Sequence, residues 1–463
     1  MLQRVSREAL KAVLAERIRN AADRENGRCA VRVRIPVEPM DSLAWLDAQT
    51  VPVKTYWTDR PRNFRMAGVG AADIALAQAV TDYEDLFDRI QDRLTYRHSD
   101  LRYYGAIRFA PDRTPGARWA PFGGYRFVMP RFELLNLPGG AVFACNLCPQ
   151  EGRSLADDCD AALLEIEDLR FDASECVQPQ PACVSRRDCP DRDGWETVMQ
   201  DVLDAIRDKK IEKVVLARES QFAFANPLDP VSMLRRLARH TPNSYHFCFQ
   251  TAPGEAFLGA SPEQLYRQRS MYVRSEALAG TRPRGDTPEA DARLREELLA
   301  SDKDRREHRI VMDSVQRTIE QVCRTTRADD EVRLLSLPHC HHLFCAVEGL
   351  LADNMQDSDL LRALHPTPAV AGHPTPEALD AIARLEPFDR GQYAGPAGWL
   401  GYDAAEFAVA IRSGLIRGNE LSLYAGAGIV EGSTADGEWA EMEAKLAPFL
   451  AAMDEDAEHD QHQ

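Results

Sequence analysis

The stretch IEKVVLARES, residues 211–220, predicts a β-strand that carries a charged side chain near its start. Period-2 alternation puts Lys213, Val215 and Ala217 on one face of this strand. The simplest interpretation is that Lys213 marks the solvated end of a buried strand and extends its amine into water. The alternative is a lysine with a chemical role, which requires partner residues elsewhere in the chain.

Length and composition indicate a globular protein with one large core or two domain-sized cores. The chain has 463 residues, of which 44% are hydrophobic and 8% aromatic. It has no apolar run approaching the roughly eighteen residues of a membrane span, and its first residues, MLQRVSREALKAVLAERIRNAAD, predict an amphipathic helix rather than a signal or transit peptide. We therefore expect a cytoplasmic protein without a membrane partner.

The charge of the chain argues against a nucleic-acid partner. Its 56 basic and 73 acidic residues give a net charge of −17. Binding to phosphates requires a concentrated basic surface, and no block rich in lysine and arginine supplies one.

A segment rich in proline and charge, together with a polar C-terminus, predicts that the chain has two parts and a tail. The segment SECVQPQPACVSRRDCPDRDGWE, around residues 174–196, is rich in proline and charge and predicts a linker or long loop. It separates an N-terminal lobe, residues 1–190, from a catalytic region, residues 191–452. The acidic tail, residues 453–463, is too polar to pack, and we expect it to be disordered.

Eleven cysteines spread through a long chain fit reduced thiols better than a disulfide framework. The pair in CNLC, Cys145 and Cys148, lacks the second tight pair of a zinc ribbon. In PHCHHLFC, residues 338–345, strand alternation puts His341 and His342 on opposite faces. The sequence therefore favours neither grouping as a metal cage.

The segment FLGASPEQL, residues 257–265, places a glutamate at a break between two apolar runs. Pro262 cannot donate a ladder hydrogen bond, so Glu263 lies at a turn or strand edge. Taken alone, such a glutamate is ordinarily a solvated loop charge.

Residues 296–322, EELLASDKDRREHRIVMDSVQRTIEQV, predict one helix with a stripe of valine and isoleucine at the 3.6-residue period. Extending the stripe towards the N-terminus reaches Glu307 and then Asp304. Like charges on a buried face require a cation, and Mg²⁺ is the hard divalent ion that carboxylates commonly hold.

Residues 421–450 predict a strand, a polar turn and a helix. Gly426 and Gly428 share a strand face, where missing side chains would let a ligand approach the backbone. Glu438, Glu441 and Lys445 share a helix face, and an exposed pair between Glu441 and Lys445 is the simpler interpretation of that spacing.

The segment RGQYAGPAGWLGYDAAEFAVAIRSGLI, residues 390–416, predicts an apolar strand in which Ala408, Ala410 and Arg412 share a face. An arginine among alanines favours the binding of a planar anion. An arginine on an edge strand facing water is the alternative.

These segments, in this order, resemble the chorismate-utilising enzymes over the region from Trp195 to Leu450. The resemblance is carried by KVVLARE, FLGASPEQL, ALAGTRPRG, DRREH, LHPTPAV, GWLGYDAAEFAVAIRSG and AGAGIVEGS. The N-terminal segments SLAWLDAQ, YWTDRPRNFRMAGVGAA and FGGYRFVMPRFELL resemble the first lobe of isochorismate synthases, most closely those of the menaquinone branch.

The resemblance implies an α+β fold, a large sandwich of two facing antiparallel sheets with helices packed outside. It also implies a reversible, Mg²⁺-dependent conversion of chorismate to isochorismate, in which water attacks C2 and the C4 hydroxyl leaves. In that family the lysine matching Lys213 activates the water, and the glutamate matching Glu263 protonates the leaving hydroxyl.

The resemblance further implies the metal-binding and substrate-binding residues. The family's magnesium ligands match Glu307 and Glu441, with Asp304 and Glu438 at the accompanying acidic positions. Asp304 replaces the usual glutamate, and its shorter side chain favours an indirect role. The residues that the resemblance places around chorismate are Thr281, His342, Tyr393, Arg412, Gly426, Gly428 and Lys445.

Related activities remain as alternatives, and menaquinone, siderophore and salicylate synthesis all remain open as the pathway that uses the product. A salicylate synthase shares Lys213 and Glu263 and also eliminates pyruvate, and a non-catalytic chorismate-binding relative would keep the fold without the reaction. Aminodeoxychorismate synthases usually have a lysine where this chain has Ala279, and anthranilate synthases usually lack the lysine matching Lys213. We therefore expect no amidotransferase subunit, and the chain to act as a monomer or homodimer. A thiol-metal protein is the least favoured alternative.

Overall fold

The computed structural model of the chain describes residues 6–22, 29–80, 82–172, 180–337 and 340–454. Within these ranges, two antiparallel sheets of twelve and ten strands are accompanied by helices, which confirms the expected fold class. Among the helices of these ranges, none has the length and the apolar run that crossing a membrane requires.

The strands of the described residues are numbered β1 to β22 in chain order. They span Val31–Val37, Lys54–Thr58, Arg65–Val69, Asp73–Ala77, Arg102–Ile107, Tyr125–Met129, Phe132–Leu137, Gly140–Leu147, Cys183–Cys189, Lys213–Phe224, Tyr245–Ala252, Glu255–Ser261, Gln264–Arg269, Tyr272–Pro283, Cys323–Ala328, Arg333–Ser336, Cys340–Leu351, Gly372–His373, Pro396–Gly401, Ala404–Val409, Ser413–Arg417 and Glu420–Ile429.

The α-helices of the same ranges are numbered α1 to α11. They span Arg7–Ala22, Ser42–Ala48, Glu84–Gln91, Leu155–Glu165, Arg192–Arg207, Pro230–His240, Pro288–Ala300, Asp302–Val322, Asp357–Leu364, Thr375–Leu385 and Ala435–Asp454. The predicted N-terminal helix is confirmed as α1, which buries Leu10, Leu14 and Ile18.

Both sheets contain strands from both predicted parts of the chain. The twelve-stranded sheet has the order β1-β8-β7-β3-β2-β11-β12-β21-β22-β10-β18, with β9 also paired to β10. The ten-stranded sheet has the order β15-β17-β14-β13-β20-β19-β5-β6-β4, with β16 also paired to β17. The predicted boundary after residue 190 thus does not divide one sheet from the other, and as a functional boundary it stays a prediction.

The linker prediction is wrong from Cys183 onward. Residues Cys183–Cys189 form β9, which pairs antiparallel with β10, and α5 begins at Arg192. The charged side chains that suggested a linker lie on an exposed edge strand, where they tolerate water. Residues 173–179 lie outside the described residues. At the other end, the predicted tail begins inside α11, and its residues 455–463 also lie outside the described residues.

One continuous apolar core receives side chains from both sheets. Trp57 and Phe247 come from the twelve-stranded sheet, and Phe127 and Phe407 come from the ten-stranded sheet; all four are fully buried. Burial on this scale supplies most of the driving force that holds the two sheets together. The helices cover the sheets from outside, with α8 against β14 and β17 and α11 against β22.

Two strand connections cross side by side from one sheet to the other. The chain passes from β12 to β13 through Pro262 and Glu263, and from β20 to β21 through residues 410–412. The amide of Val409 donates to the carbonyl of Glu263 at 3.1 Å, and the amide of Ala260 donates to the carbonyl of Arg412 at 2.9 Å. These hydrogen bonds fix Glu263 and Arg412 at one corner of the sandwich.

The continuous strand predicted through Arg412 is therefore wrong. Regular alternation ends at Val409, and Arg412 has a φ of 52°, which is unusual for a residue other than glycine. The helix predicted over residues 296–322 is also two helices, because α8 starts afresh after Ser301, whose side chain caps it by accepting from the amide of Asp304.

Candidate active site

Lys213 is fully buried at the start of β10, which excludes the solvated strand end. Its Nζ lies 3.0 Å from Oε1 of Glu307 on α8, without the alignment of a hydrogen bond. The space for this pair comes from Gly428 on the neighbouring strand β22, since a Cβ there would overlap Oε1 of Glu307 and lie 3.1 Å from Cε of Lys213. Gly428 thus makes room for two predicted site residues rather than for a ligand alone.

Glu263 is also buried, which excludes the solvated loop charge. Burial raises the pKa of Glu263 to about 8, although the nearby Lys213 ammonium acts to lower it. The negative charge of Glu276 contributes to this rise, while Arg412 and Lys445 oppose it. Glu263 is therefore largely protonated at neutral pH, as a proton donor must be.

The predicted metal-binding carboxylates are each paired with a cation. Oε1 of Glu438 accepts from Nζ of Lys303 at 2.7 Å, and Oε1 of Glu441 accepts from Nζ of Lys445 at 2.6 Å. Burial alone would lower the pKa of Lys303, but Glu438, and then Glu441 and Glu307, raise it. Lys303, which the sequence interpretation did not single out, thus pairs with one predicted ligand and interacts electrostatically with two more.

These carboxylates provide oxygen donors suited to a hard divalent cation. Oε2 of Glu438 is buried without a hydrogen-bond partner among the described residues, and burial followed by the charge of Glu441 raises the pKa of Glu438. The described residues contain no ready group of three metal-binding side chains, so the lysine pairs must rearrange before an ion is held. The donor set fits Mg²⁺, and the ion stays a prediction.

Asp304 has a different surrounding from the three glutamates. It is buried, and its Oδ2 accepts from Nη2 of Arg282 at 2.7 Å. Arg282 also donates to the carbonyl of Thr281 at 2.9 Å. This ion pair agrees with an indirect role for Asp304 and links the start of α8 to β14.

Several predicted substrate-binding residues lie together on the other side of the site. Oγ1 of Thr281 lies 3.0 Å from Nδ1 of His342, across the β14 and β17 pair. Burial, together with the charges of Arg412 and Lys445, lowers the pKa of His342 to about 3. A neutral imidazole therefore lies near two cations, an arrangement that favours an anionic ligand.

The pair between Glu441 and Lys445 exists but is not an exposed surface pair. The Nζ of Lys445 also donates to the carbonyl of Gly426 at 2.7 Å, and the side chain is 16% exposed. Although burial alone would raise the pKa of Glu441, the Lys445 ammonium lowers it. The lysine thus points into the cleft rather than into water.

Tyr393 occupies the space over Gly426. Its hydroxyl would lie 3.0 Å from a Cβ at Gly426, and its ring stacks on Tyr424 with a centroid distance of 5.3 Å. Burial raises the pKa of Tyr393 to about 12, so its hydroxyl keeps its proton.

The cavity between these residues is small. Its volume is ≈ 50 Å³, and Val215, Tyr393, Arg412, Gly426 and Lys445 are among the lining residues. Cavities that enclose small molecules usually exceed roughly 300 Å³. Entry of a substrate therefore requires the lining side chains to move.

A larger cavity of ≈ 910 Å³ contains none of the predicted site residues. It lies between the 108–116 loop and α10, and His365, Glu386 and Arg390 are among its lining residues. Cavity volume therefore does not identify the candidate active site. The chemistry of the side chains identifies it.

The cysteine and histidine groupings do not form a metal cage in the described residues. Cys145 and Cys148 are buried thiols. His341 contacts Ser336 and Asp291, whereas His342 contacts Thr281 and Cys340, as expected for alternating strand faces. His339 lies outside the described residues.

Comparison with known proteins gives a consistent result. Residues 16–454 match the family model described as chorismate binding enzyme. The chain is 34% identical to the chloroplastic isochorismate synthase of Catharanthus roseus, covering 84% of this chain and 68% of the relative. It is 33% identical to the isochorismate synthase MenF of Escherichia coli, covering 89% and 90% of the two chains.

A solved structure extends this likeness to the fold. The structure of MenF, the menaquinone-specific isochorismate synthase from Escherichia coli, superposes with a TM-score of 0.84 at 30% identity. The superposition covers 96% of this chain and 99% of that one. The agreement includes strands from both predicted parts of the chain.

Proposed function

Because the chain belongs to the chorismate binding enzyme family, we propose that it is an isochorismate synthase. The observation that carries this assignment is a buried lysine and a buried, protonated glutamate in one site with Arg412 and Lys445. The identity to named isochorismate synthases over most of the chain supports the same reaction.

In the proposed reaction, Lys213 accepts a proton from the water that attacks C2 of chorismate. Glu263 donates a proton to the C4 hydroxyl, which leaves as water while the double bonds shift. One water enters and one leaves, so chorismate and isochorismate are isomers. Lys213 lies on β10 and Glu263 lies in the turn between β12 and β13, so the base and the acid are separate groups. Glu263 can therefore donate one proton while Lys213 accepts another.

Arg412 and Lys445 bind the carboxylates of the substrate, with Thr281 and His342 beside them. Tyr393 limits the cleft above Gly426. These cations supply the local positive potential that a chain with a net charge of −17 needs in order to hold a dianion.

Glu307, Glu438 and Glu441 are the proposed Mg²⁺ ligands, with Asp304 in a supporting position. A bound Mg²⁺ supplies positive charge for the ring carboxylate of the substrate. Because Glu307 also pairs with Lys213, it is the carboxylate that would connect the ion to the base.

We also propose that the enzyme acts in the cytoplasm on the menaquinone branch, as a monomer or homodimer without an amidotransferase subunit. The free thiols of the described cysteines suit a reducing compartment. The menaquinone branch is proposed from the Escherichia coli relative.

The test incubates the purified chain with chorismate, with and without Mg²⁺, and separates the products by chromatography. Isochorismate without pyruvate, absent in EDTA, is the expected result. Salicylate together with pyruvate would instead assign a salicylate synthase. Unchanged chorismate, with binding still measurable by calorimetry, would overturn catalysis in favour of a binding protein.

A further inference from the structure

Glu276 is a buried carboxylate next to the active site to which the proposed reaction gives no role. It lies on β14, and its side chain is 1% exposed. One oxygen, Oε1, pairs with Arg60 and more distantly with Arg274, at 3.4 Å, while Oε2 is buried without a hydrogen-bond partner among the described residues. An unsatisfied buried carboxylate oxygen costs free energy, so its presence at this place requires a reason.

Arg60 connects Glu276 to the turn that carries Glu263. Its Nη2 donates to Oε1 of Glu276 at 2.5 Å, and its Nη1 donates to the carbonyl of Pro262 at 2.9 Å. The guanidinium lies over the ring of Tyr245, 5.4 Å from its centroid. Because Pro262 immediately precedes Glu263, Arg60 restrains the backbone of the proposed acid.

Arg60 comes from the N-terminal part of the chain, within the segment YWTDRPRNFRMAGVGAA, residues 56–72. The segment resembles the first lobe of isochorismate synthases, but the reaction assigned above uses none of its residues. Its contact with Pro262 gives this part of the chain a direct connection to the site.

The charge of Glu276 acts on Glu263 without a bond between them. Among the described residues, the charged groups that act most strongly on the pKa of Glu263 are Lys213 on β10, Glu276 on β14, Arg412 at the sheet crossing and Lys445 on α11. Three of these are cations, which favour the carboxylate form. Glu276 is the one anion among them, and it favours the protonated form.

We propose that Arg60 and Glu276 are positioning residues for Glu263: Arg60 anchors the turn that carries the acid, and the negative charge of Glu276 keeps that acid protonated. This inference rests on the proposed function, because it assigns Glu263 as the proton donor. It gives the N-terminal part of the chain a role in the chemistry. It also explains why a carboxylate with one unpaired oxygen lies buried at this place.

The test is the pH profile of kcat/KM for the two opposite substitutions. Glu276→Gln removes the anion, so the alkaline limb moves to lower pH by about one unit. Arg60→Met leaves Glu276 with Arg274, whose Nη2 is 3.4 Å from Oε1, as its remaining cation among the described residues, so the charge of Glu276 is less compensated and the limb moves to higher pH. If Arg60 and Glu276 have only a structural role, both substitutions lower the stability of the protein. The alkaline limb of kcat/KM then does not move in opposite directions in the two variants.

Two further variants keep the test decisive. Glu276→Asp retains the charge, so its limb stays with that of the wild type even if kcat falls. Glu133→Gln is the matched control, because Glu133 is likewise buried and paired with an arginine, Arg32, at 2.9 Å. It is expected to lower the unfolding temperature and leave the limb in place. If Arg60→Met does not fold, the comparison of Glu276→Gln with Glu276→Asp decides the proposal.

A second readout separates this inference from the proposed function. The infrared band of the protonated Glu263 carboxyl is identified by its absence in Glu263→Gln. This band is then followed as a function of pH, without substrate, in the wild type and in Glu276→Gln. A wild type that makes isochorismate, with both titrations coinciding, would overturn the positioning inference alone. A wild type that makes no isochorismate would overturn the function, and the infrared titration would still decide whether Glu276 sets the protonation of Glu263.

Discussion

Lys213 and Glu307 meet, with Nζ 3.0 Å from Oε1, in the space left by the missing side chain of Gly428. Three elements that are distant in sequence, β10, α8 and β22, are needed to build this one contact. It joins the proposed base to a proposed metal ligand, so its geometry decides several measurable properties.

Gly428→Ala is expected to abolish most activity while the protein stays folded. The new methyl group overlaps Oε1 of Glu307 and displaces it from Lys213. A displacement of about 1 Å at reacting groups costs about 100-fold in rate. Steady-state kinetics and circular dichroism measure the two effects. Gly139→Ala is the matched control, because no atom lies within 4 Å of the added carbon there.

Lys213→Met is expected to lower kcat by about 10²- to 10⁴-fold, because it removes the proposed general base. Chorismate binding, measured by calorimetry, changes little, since Arg412 and Lys445 remain. Lys54→Met tests whether loss of any buried lysine is sufficient, since Lys54 is buried on β2 outside the proposed site. Equal losses of kcat in the two variants would exclude a special role for Lys213.

Activity is expected to fall as the pH rises past about 8. Only the protonated form of Glu263 can donate, and burial raises its pKa to about 8. The alkaline limb of kcat/KM reports this group. A limb that persists in an active Glu263→Gln variant would assign the titration to another residue.

The same pKa has a parallel consequence for stability. Because the pKa of Glu263 is higher in the folded than in the unfolded chain, stability is greatest below the unfolded value and falls as the pH rises through the folded value. The substitution Glu263→Gln replaces the titrating carboxyl with a neutral amide, so this pH-dependent loss of stability disappears. At pH 9 the variant is expected to unfold at least roughly 2 °C above the wild type, whereas near pH 4 the difference disappears. Calorimetric scans at both pH values test this expectation.

Removal of Mg²⁺ by EDTA is expected to stop turnover. Glu438→Gln and Glu441→Gln weaken Mg²⁺ binding by at least about tenfold, as measured by titration calorimetry without substrate. Glu443→Gln is the control on the same helix, since Glu443 pairs with Arg186 and Arg218. Unchanged affinity in the first two variants would remove these carboxylates from the metal site.

The fold and the residues brought together could largely be predicted from the sequence, because ordered motifs carry them. The two-sheet sandwich is confirmed, and Lys213, Glu263, Glu307 and Arg412 converge although they come from four separate segments. Periodicity alone predicted the local structure less well, because it indicated one continuous strand through Arg412. A corner between two sheets interrupts alternation without changing the apolar character of the sequence.

What could not be predicted depends on distant partners. The cations that neutralise the carboxylates, among them Lys303 on α8 and Arg282 on β14, are ordinary surface types whose position follows only from the packing of α8 against its neighbours. Ser301 ends one helix and caps the next, so the helix predicted over residues 296–322 is divided at a residue that precedes the apolar stripe. The edge strand β9 has linker composition because its side chains face water. In each case tertiary context overrides local pattern.

The interleaving of early and late strands has a consequence for biosynthesis. During synthesis, β5 cannot pair with β19, nor β2 with β11, until the later strand has been made. β10 has no β22 to pair with until this last strand leaves the ribosome. Such long-range pairing makes folding slow and leaves sheet edges uncovered in the nascent chain. A chain truncated before β22 therefore loses central pairing of the larger sheet together with Gly426 and Gly428. Incomplete products of translation are left with open edges that invite aggregation and degradation, and they lack the strand whose glycines make room for the proposed site.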